Sequence, residues 1–210
     1  DFFGLVVVRN FTNDDSDVLP TPPVHIPTTP PTSTGSEPDS LPTWPFDASE
    51  AQRRIDQTAT QYNIPAQRKN DLGMTLQLIP PGEFLCGSPE DEPDRHYQDA
   101  DLHRVVIEKP FYMSAYETTQ IDMEGTLGSE YLIHPTSLTI SRNPRYAVYG
   151  VMWCDAIAFC NALNEREGLE PCYEMTNIER FSDNQHIKNA EVRLLGGPGY
   201  RLPINDEWEY

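Results

Sequence analysis

Proline is concentrated in one part of the chain, which limits where a compact domain can form. Nine of the 20 prolines lie between residues 10 and 45, among Thr and Ser and with almost no apolar periodicity. Such a segment prefers the extended polyproline conformation and lacks the apolar surface that folding requires. We therefore predict that residues 1–45 are an apolar start followed by a linker, which is either a spacer between modules or a disordered tail without a role.

The apolar start itself has two interpretations. Residues 1–8 are mostly apolar and Arg9 follows at once. Eight residues cannot span a bilayer, which takes about 20. The stretch is either the outer end of a membrane helix or signal segment, or a short β-strand. The first interpretation implies a membrane tether and a location outside the cytoplasm or at a membrane.

The charge of the chain excludes one class of partner. With 15 basic and 33 acidic residues, the formal net charge is −18. This charge repels nucleic acids and anionic membrane surfaces, so we do not expect a nucleic-acid partner. The length of 210 residues leaves room for one globular domain beside the linker.

A lead-in helix is predicted within residues 46–71. Asp47 or Ser49 can cap its start, and Ile64-Pro65 ends it. Its apolar residues recur at helical spacing along one narrow stripe, namely Ala51, Ile55, Ala59 and Tyr62.

The main domain is predicted to occupy residues 72–210 and to open with strands. Residues 73–88 alternate in polarity around a Pro-Pro-Gly turn, which predicts a β-hairpin. Two further strands are predicted at residues 105–107 and 111–116, and another at 191–195 after a loop at 174–190. Residues 121–149 are only weakly patterned because Gly and Pro interrupt them.

The clearest helix is predicted at residues 151–168. Gly168 is a natural stop, whereas Met152 occupies the N-cap position without a side-chain acceptor. The predicted apolar stripe consists of Trp153, Ala156, Ile157, Cys160 and Leu163.

A second helix start is predicted near the end of the chain. Pro203 suits a helix entrance, Asn205 can serve as N-cap, and an acidic first turn follows. We expect Trp208 to be buried against the helix that carries Trp153. A helix this short cannot stand alone, so we expect further sequence after Tyr210 in the natural protein.

Metal and disulfide chemistry have candidates but no firm motif. The acidic loop at residues 88–101 is either a calcium site or a solvated loop, because its spacing lacks the EF-hand register. His96 and His103 have no third ligand at useful spacing. The four cysteines, Cys86, Cys154, Cys160 and Cys172, form no zinc pattern. Cys160 and Cys172 flank a helix end and are either a disulfide or two separate buried thiols.

Four stretches together resemble the formylglycine-generating enzyme (sulfatase-modifying factor) domain family. They are residues 73–88, 103–120, 151–163 and 199–210, in the family's order, and residues 168–173 resemble bacterial members. The last stretch contains the Arg-Leu-Pro and Glu-Trp-Glu-Tyr parts of the family signature. The chain departs from the pattern at Cys86, Thr118 and residues 204–206, where the family usually has Met, Val and Thr-Glu-Ala.

The resemblance implies an α+β, C-type-lectin-like fold with little regular secondary structure, incomplete at the C-terminus. Family enzymes oxidise a cysteine of a sulfatase-like protein or peptide to formylglycine, using oxygen and a copper ion held by two cysteine thiolates. Those cysteines, and the family's calcium loops, follow the Glu-Trp-Glu-Tyr motif. The resemblance therefore assigns no catalytic, cofactor-binding or metal residue up to Tyr210. It implies copper for a catalytic whole protein, with calcium as a further candidate ion. The alternative is a non-catalytic lectin-like module that binds or senses an unknown ligand.

Overall fold

A computed structural model describes residues 5–10, 47–93, 95, 101–132, 143–182 and 184–210. This part of the chain has the predicted α+β character, with many irregular connections. The helices are α1 (Ala48–Tyr62), α2 (Gln120–Leu127), α3 (Trp153–Arg166) and α4 (Asn205–Glu209), with a 3-10 turn at Ser129–Leu132. The strands are β1 (Val8–Arg9), β2 (Gln67–Lys69), β3 (Thr75–Ile79), β4 (Gly82–Cys86), β5 (His103–Ile107), β6 (Phe111–Ser114), β7 (Tyr173–Arg180), β8 (Ile187–Leu194) and β9 (Tyr200–Arg201). The linker predicted between residues 11 and 45 lies outside the described residues.

The main sheet has five strands in the order β2-β3-β6-β1-β9. β1 lies inside this sheet and is antiparallel to both neighbours, with Val8 opposite Met113 on one side and Arg201 on the other. Val7 and Val8 are fully buried. Of the two interpretations of the apolar start, the structure shows the short strand. Among the described helices, none is long and apolar enough to cross a membrane.

The predicted hairpin at residues 73–88 is wrong in its pairing, although both of its strands exist. β3 pairs with β2 and β6, whereas β4 pairs with β5 in a separate two-stranded sheet. The cause lies in Pro80 and Pro81, because neither has an N–H for a hairpin bond and a residue before proline is held extended. The chain therefore passes from one sheet to the other instead of folding back.

The two longest helices are confirmed. In α1 the Asp47 carboxylate accepts a hydrogen bond from the Glu50 N–H at 2.9 Å, and Asn63 ends the helix with φ of 50°. In α3 Met152 occupies the N-cap position without a side-chain hydrogen bond, and Gly168 follows the helix with φ of 68°. Local periodicity and end signals were sufficient to place both helices.

Two regions are more regular than predicted. α2 lies in the weakly patterned stretch and begins with a capping box between Thr119 and Asp122. β7 and β8 form an antiparallel ribbon where residues 174–190 were predicted to be a loop. The ribbon is mostly exposed, so its strands lack the apolar alternation that identifies a half-buried strand. Its register shifts between Thr176 and Glu179, next to Asn177 with φ of 51°.

The main core crosses the boundary predicted at residue 72. Val7 and Ile64 pack in the same cluster as Leu76 and Leu78 of β3, and α3 contributes Phe159. A second, smaller cluster lies between β1, β4, β5 and β6 and contains Val8, Phe84, Cys86, Ile107 and Phe111. The folded domain thus includes residues on both sides of the linker.

Thr118, which stands where the family usually has Val, has an unsatisfied hydroxyl. Its side chain is fully buried and its Oγ1 has no hydrogen-bond partner among the described residues. Its backbone is satisfied, because the N–H donates to the Leu5 carbonyl and the carbonyl accepts from the Val148 N–H. Burying an unpaired hydroxyl is unfavourable, so the position is suited to a valine of the same shape.

We expect Thr118→Val to raise the free energy of unfolding by about 1–2 kcal/mol, since it removes an unpaired buried hydroxyl without opening a cavity. Urea denaturation measures the change. The control is Thr119→Val, which removes a used hydroxyl: Thr119 Oγ1 donates to the Asp122 carboxylate at 2.5 Å and accepts from the Asp122 N–H. It should lower stability by roughly 1 kcal/mol. If both variants change the free energy of unfolding in the same direction, the prediction is wrong.

Candidate functional site

A large open groove lies where the starts of α3 and α4 meet the segment before α3. Its volume is about 780 Å³, and its walls also include Leu5 and Val6 just before β1. Three aromatic side chains line it: Tyr149, Trp153, which is 59% exposed, and Trp208, which is 45% exposed. We call this the aromatic groove. Partly exposed tryptophans in a concave apolar surface are typical of binding sites.

The wall that carries Tyr149 is held by backbone hydrogen bonds. The Val148 N–H donates to the Thr118 carbonyl at 2.9 Å, and Thr119 and Ala147 form an antiparallel bridge. Gln120 also donates its N–H to the Tyr146 carbonyl. Backbone hydrogen bonds therefore hold this segment against the residues just before α2 and the first residue of that helix.

The wall that carries Trp208 is held by a buried ion pair. The Arg201 guanidinium contacts both carboxylate oxygens of Glu207, at 2.5 and 2.6 Å, and these side chains are 15% and 9% exposed. Arg201 also donates to the Asn10 side chain at 3.0 Å, and Glu207 accepts from the Ile204 N–H at 3.0 Å. The Arg201–Glu207 pair thus joins β9, β1 and the first turn of α4.

Two expectations about this end of the chain are wrong. Ile204 occupies the N-cap position, and Asn205 is the first residue of the helix. Ile204 has no side-chain acceptor for the first helical turn, and its own N–H donates to the Glu207 carboxylate. Trp208 is not buried against α3; it lines the groove. Tyr210 takes the packing position, with its ring 5.3 Å from that of Phe84.

Trp153 also differs from its predicted place in the apolar stripe of α3. It is the first residue of the helix and points into the groove, while Ile157, Cys160 and Leu163 are buried as predicted. A residue in the first turn lies at the edge of the helix contact, so helical spacing alone does not decide whether it is buried. The sequence signal for the groove was the two tryptophans of α3 and α4, which were both expected to be buried.

The lining of the groove is mostly apolar and contains one acidic residue. Glu117 is exposed and contributes a carboxylate, and no Lys or Arg is among the described residues that line the groove. Aromatic faces and a carboxylate both attract cations. The arrangement suits a ligand with apolar surface and a positive group.

The four cysteines do not fit a copper-binding thiolate pair. All four are buried and free. The Glu209 carboxylate, which accepts the Cys86 S–H at 3.1 Å, raises the pKa of Cys86 to about 11. Burial raises the pKa of Cys154, Cys160 and Cys172. Copper ligation needs thiolates, which these environments disfavour, and the described residues contain no group of three His, Cys, Asp or Glu placed to hold a metal.

The acidic loop remains a prediction as a calcium site. Asp94, His96 and Asp99 lie outside the described residues. In the described part, Asp101 forms an ion pair with Arg95 at 2.6 Å and its backbone bridges to Ser88. His103 Nδ1 lies 2.8 Å from the Asp101 carbonyl oxygen.

A buried polar pair was missed by the sequence reasoning. Asp155 in the first turn of α3 contacts His186 Nδ1 at 2.6 Å and accepts from the Ile187 N–H at 2.8 Å. Both side chains of the pair are almost completely buried. The pair fastens the start of β8 to α3, and its signal in the sequence was an acidic residue within an otherwise apolar helix face.

Comparison with known proteins agrees with the motifs. The model of the sulfatase-modifying factor enzyme 1-like domain matches residues 60–210. A chaperone protein LppX of Paenibacillus barcinonensis is 36% identical over 104 residues, which cover 48% of this chain and 35% of the relative. The structure of PvdO from Pseudomonas aeruginosa is similar over 52% of this chain and 46% of PvdO, with 23% identity and a TM-score of 0.43. The chain thus spans less than half the length of either protein. Because the family match covers most of the chain, the chain belongs to the formylglycine-generating enzyme (sulfatase-modifying factor) family.

Proposed function

We propose that this chain is the peptide-binding part of a sulfatase-modifying-factor-type protein, and that the aromatic groove receives an extended segment of a sulfatase-like protein. The observation that carries the proposal is the pair of exposed tryptophans, Trp153 and Trp208, in one apolar groove. Large aromatic side chains at the centre of a concave surface dominate the binding energy of peptide and protein ligands.

The chemistry of the groove favours a peptide with proline and a basic residue. Flat aromatic rings pack well against proline rings and aliphatic chains, and they attract cationic groups over their faces. Glu117 supplies a negative charge at the groove, and the net charge of −18 favours a basic ligand. A Cys-x-Pro-x-Arg peptide has these features.

Catalysis belongs to the proposal for the whole protein. A copper ion held by two thiolates would supply the oxygen chemistry that converts the bound cysteine to formylglycine. The described cysteines do not fit that role because they are buried and their pKa values are raised. The role proposed for this chain is therefore to bind and orient the peptide.

The second candidate is a non-catalytic lectin-like module that binds a ligand in the same groove. The lining of the groove favours it, because aromatic side chains and the Glu117 carboxylate can bind a ligand without a reacting group. The two candidates differ in the fate of the peptide cysteine. Incubating the whole protein with copper, a reductant and a Cys-x-Pro-x-Arg peptide separates them by mass spectrometry: an aldehyde product assigns catalysis, and an unchanged, bound peptide assigns the binding module.

We expect Trp153→Ala and Trp208→Ala each to weaken peptide binding by roughly 30-fold or more, the size of a hot-spot loss of about 2 kcal/mol. Stability should change by no more than about 1 kcal/mol, because both side chains are partly exposed. Fluorescence anisotropy of a labelled Cys-x-Pro-x-Arg peptide measures the affinity.

The control is Leu194→Ala, an exposed apolar side chain on β8 that does not line the groove. It should leave the affinity unchanged. Binding that survives both tryptophan variants, or that is lost equally in the Leu194 variant, would remove the groove from the proposed function.

A further inference from the structure

Cys160 and Cys172 are brought together by the connection from α3 to β7. Asn161, next to Cys160, bonds both backbone groups of Tyr173: its amide donates to the Tyr173 carbonyl at 2.8 Å and its oxygen accepts from the Tyr173 N–H at 3.2 Å. Residue 172 is therefore held against the helix at the level of residue 160. The side chain of Asn161 thus spans the distance from the helix backbone to the backbone of Tyr173.

A second contact places the Cys172 side chain on the face of α3 that carries Cys160. The Cys172 thiol donates to the Pro198 carbonyl at 3.9 Å and lies near the Asn164 side chain. Asn164 lies four residues after Cys160, and residues at this spacing are neighbours on one helix face, with Cβ atoms about 5–6 Å apart. Both cysteines are fully buried in the main core.

The backbone around the two cysteines is held by hydrogen bonds on both sides. Gly168, with φ of 68°, reverses the chain after α3, and the Leu169 N–H donates to the Asn164 carbonyl at 2.8 Å. The Cys172 carbonyl accepts from the Leu195 N–H at 2.9 Å, which ties it to the end of β8. A disulfide needs closely spaced and stable backbones, and these contacts supply them.

We propose that Cys160 and Cys172 are a cross-linking site and form an intramolecular disulfide when the protein folds in an oxidising compartment. The reaction is thiol–disulfide exchange with a disulfide oxidant, such as oxidised glutathione or a protein disulfide. One cysteine thiolate attacks the oxidant, and the second then attacks the mixed disulfide. A new S–S bond forms in the protein and the S–S bond of the oxidant breaks. The oxidant takes up the two electrons and two protons of the cysteine thiols and leaves as two thiols. Because both sulfurs are buried in the folded chain, the exchange precedes closure of the core.

The other two cysteines serve as internal controls. Cys86 lies on β4 in the second cluster, where its thiol donates to Glu209. Cys154 lies in the first turn of α3, before Cys160. Cys160 with Cys172 is thus the pairing that the contacts favour, since neither Cys86 nor Cys154 is held against another cysteine by contacts like those of Cys172.

The test is a peptide map of the protein exported to a bacterial periplasm and blocked with N-ethylmaleimide under denaturing conditions before any reduction. Trypsin cuts after Arg166, between the two cysteines, and Asp-N protease cuts before Asp155, between Cys154 and Cys160. We expect peptide 155–166 to be joined to peptide 167–180, with Cys86 and Cys154 labelled. Four labelled cysteines, or any other pairing, would overturn the proposal.

A stability measurement tests the same bond independently. Reductant should lower the thermal midpoint by roughly 5–10 °C, as expected for a closed loop of this size. The shift should vanish in the double variant Cys160→Ala/Cys172→Ala and persist in Cys86→Ala/Cys154→Ala. If the two thiols only fill the core, the first double variant would be less stable, but reductant would not change the thermal midpoint of the natural protein. That result also overturns the proposal.

Discussion

Replacing Arg201 with alanine is expected to lower the free energy of unfolding by about 3–5 kcal/mol, the cost of leaving one partner of a buried ion pair uncompensated. The Glu207 carboxylate is 9% exposed and would lose both contacts with the guanidinium. The Asn10 side chain would lose its bond as well, so β1 and α4 are both affected. Urea denaturation followed by circular dichroism gives the change.

The matched control for this prediction is Arg193→Ala. Arg193 pairs with Glu174 at 2.8 Å, but the two side chains are 67% and 47% exposed. Such a pair contributes less than about 1 kcal/mol, because water screens the charges. If the two alanine variants lose the same stability, the Arg201–Glu207 pair does not hold the groove wall. Binding of the labelled peptide should also weaken in Arg201→Ala, because α4 carries Trp208.

The helices could be placed from the sequence because their signals are local. α1 and α3 each show an apolar stripe and an end signal within a window of about 15 residues, which is where periodicity is informative. Asp47 and Gly168 occupy the ends at which they were predicted. The strands at residues 75–79 and 82–86 were also predictable, from alternating polarity and the Pro-Pro-Gly turn between them.

Strand pairing could not be placed because it depends on distant partners. Val8 lies between Met113 and Arg201, and nothing within residues 1–10 indicates either neighbour. The hairpin prediction failed for a local reason, since Pro80 and Pro81 lie between the two strands and prevent the hairpin turn. Composition gave no help with the β7–β8 ribbon, whose side chains are mostly exposed.

The candidate site was only partly accessible to sequence reasoning. The signature at residues 199–210 was recognised, but the roles of its residues were not. Trp208 was assigned to the core and Glu207 to the helix end, whereas the structure exposes the tryptophan in the groove and buries the glutamate against Arg201. In a helix of five residues, periodicity does not determine which side faces the core. The partner of each side chain decides it, and Arg201 lies in a different element.

The central position of β1 leads to the second large effect. Val8→Asp should lower the free energy of unfolding by roughly 4 kcal/mol or more, because it removes a buried apolar side chain and buries a charge without a partner. Val8 is fully buried beside Phe84, Ile107 and Phe111. Far-UV circular dichroism in urea measures the loss.

The same substitution at Val106 separates the effect of burying a charge from the effect of placing aspartate in a strand. Val106 also lies in a strand, β5, but it is 55% exposed. An aspartate there keeps its hydration, so Val106→Asp should cost no more than about 1 kcal/mol, mainly through lower strand propensity. If Val8→Asp is no worse than Val106→Asp, residues 5–10 are not part of the sheet, and the apolar start would return to its other interpretation as the end of an anchor or signal segment. A large difference instead means that the segment before the proline-rich stretch folds with the domain that follows it, and that the linker connects two parts of one core.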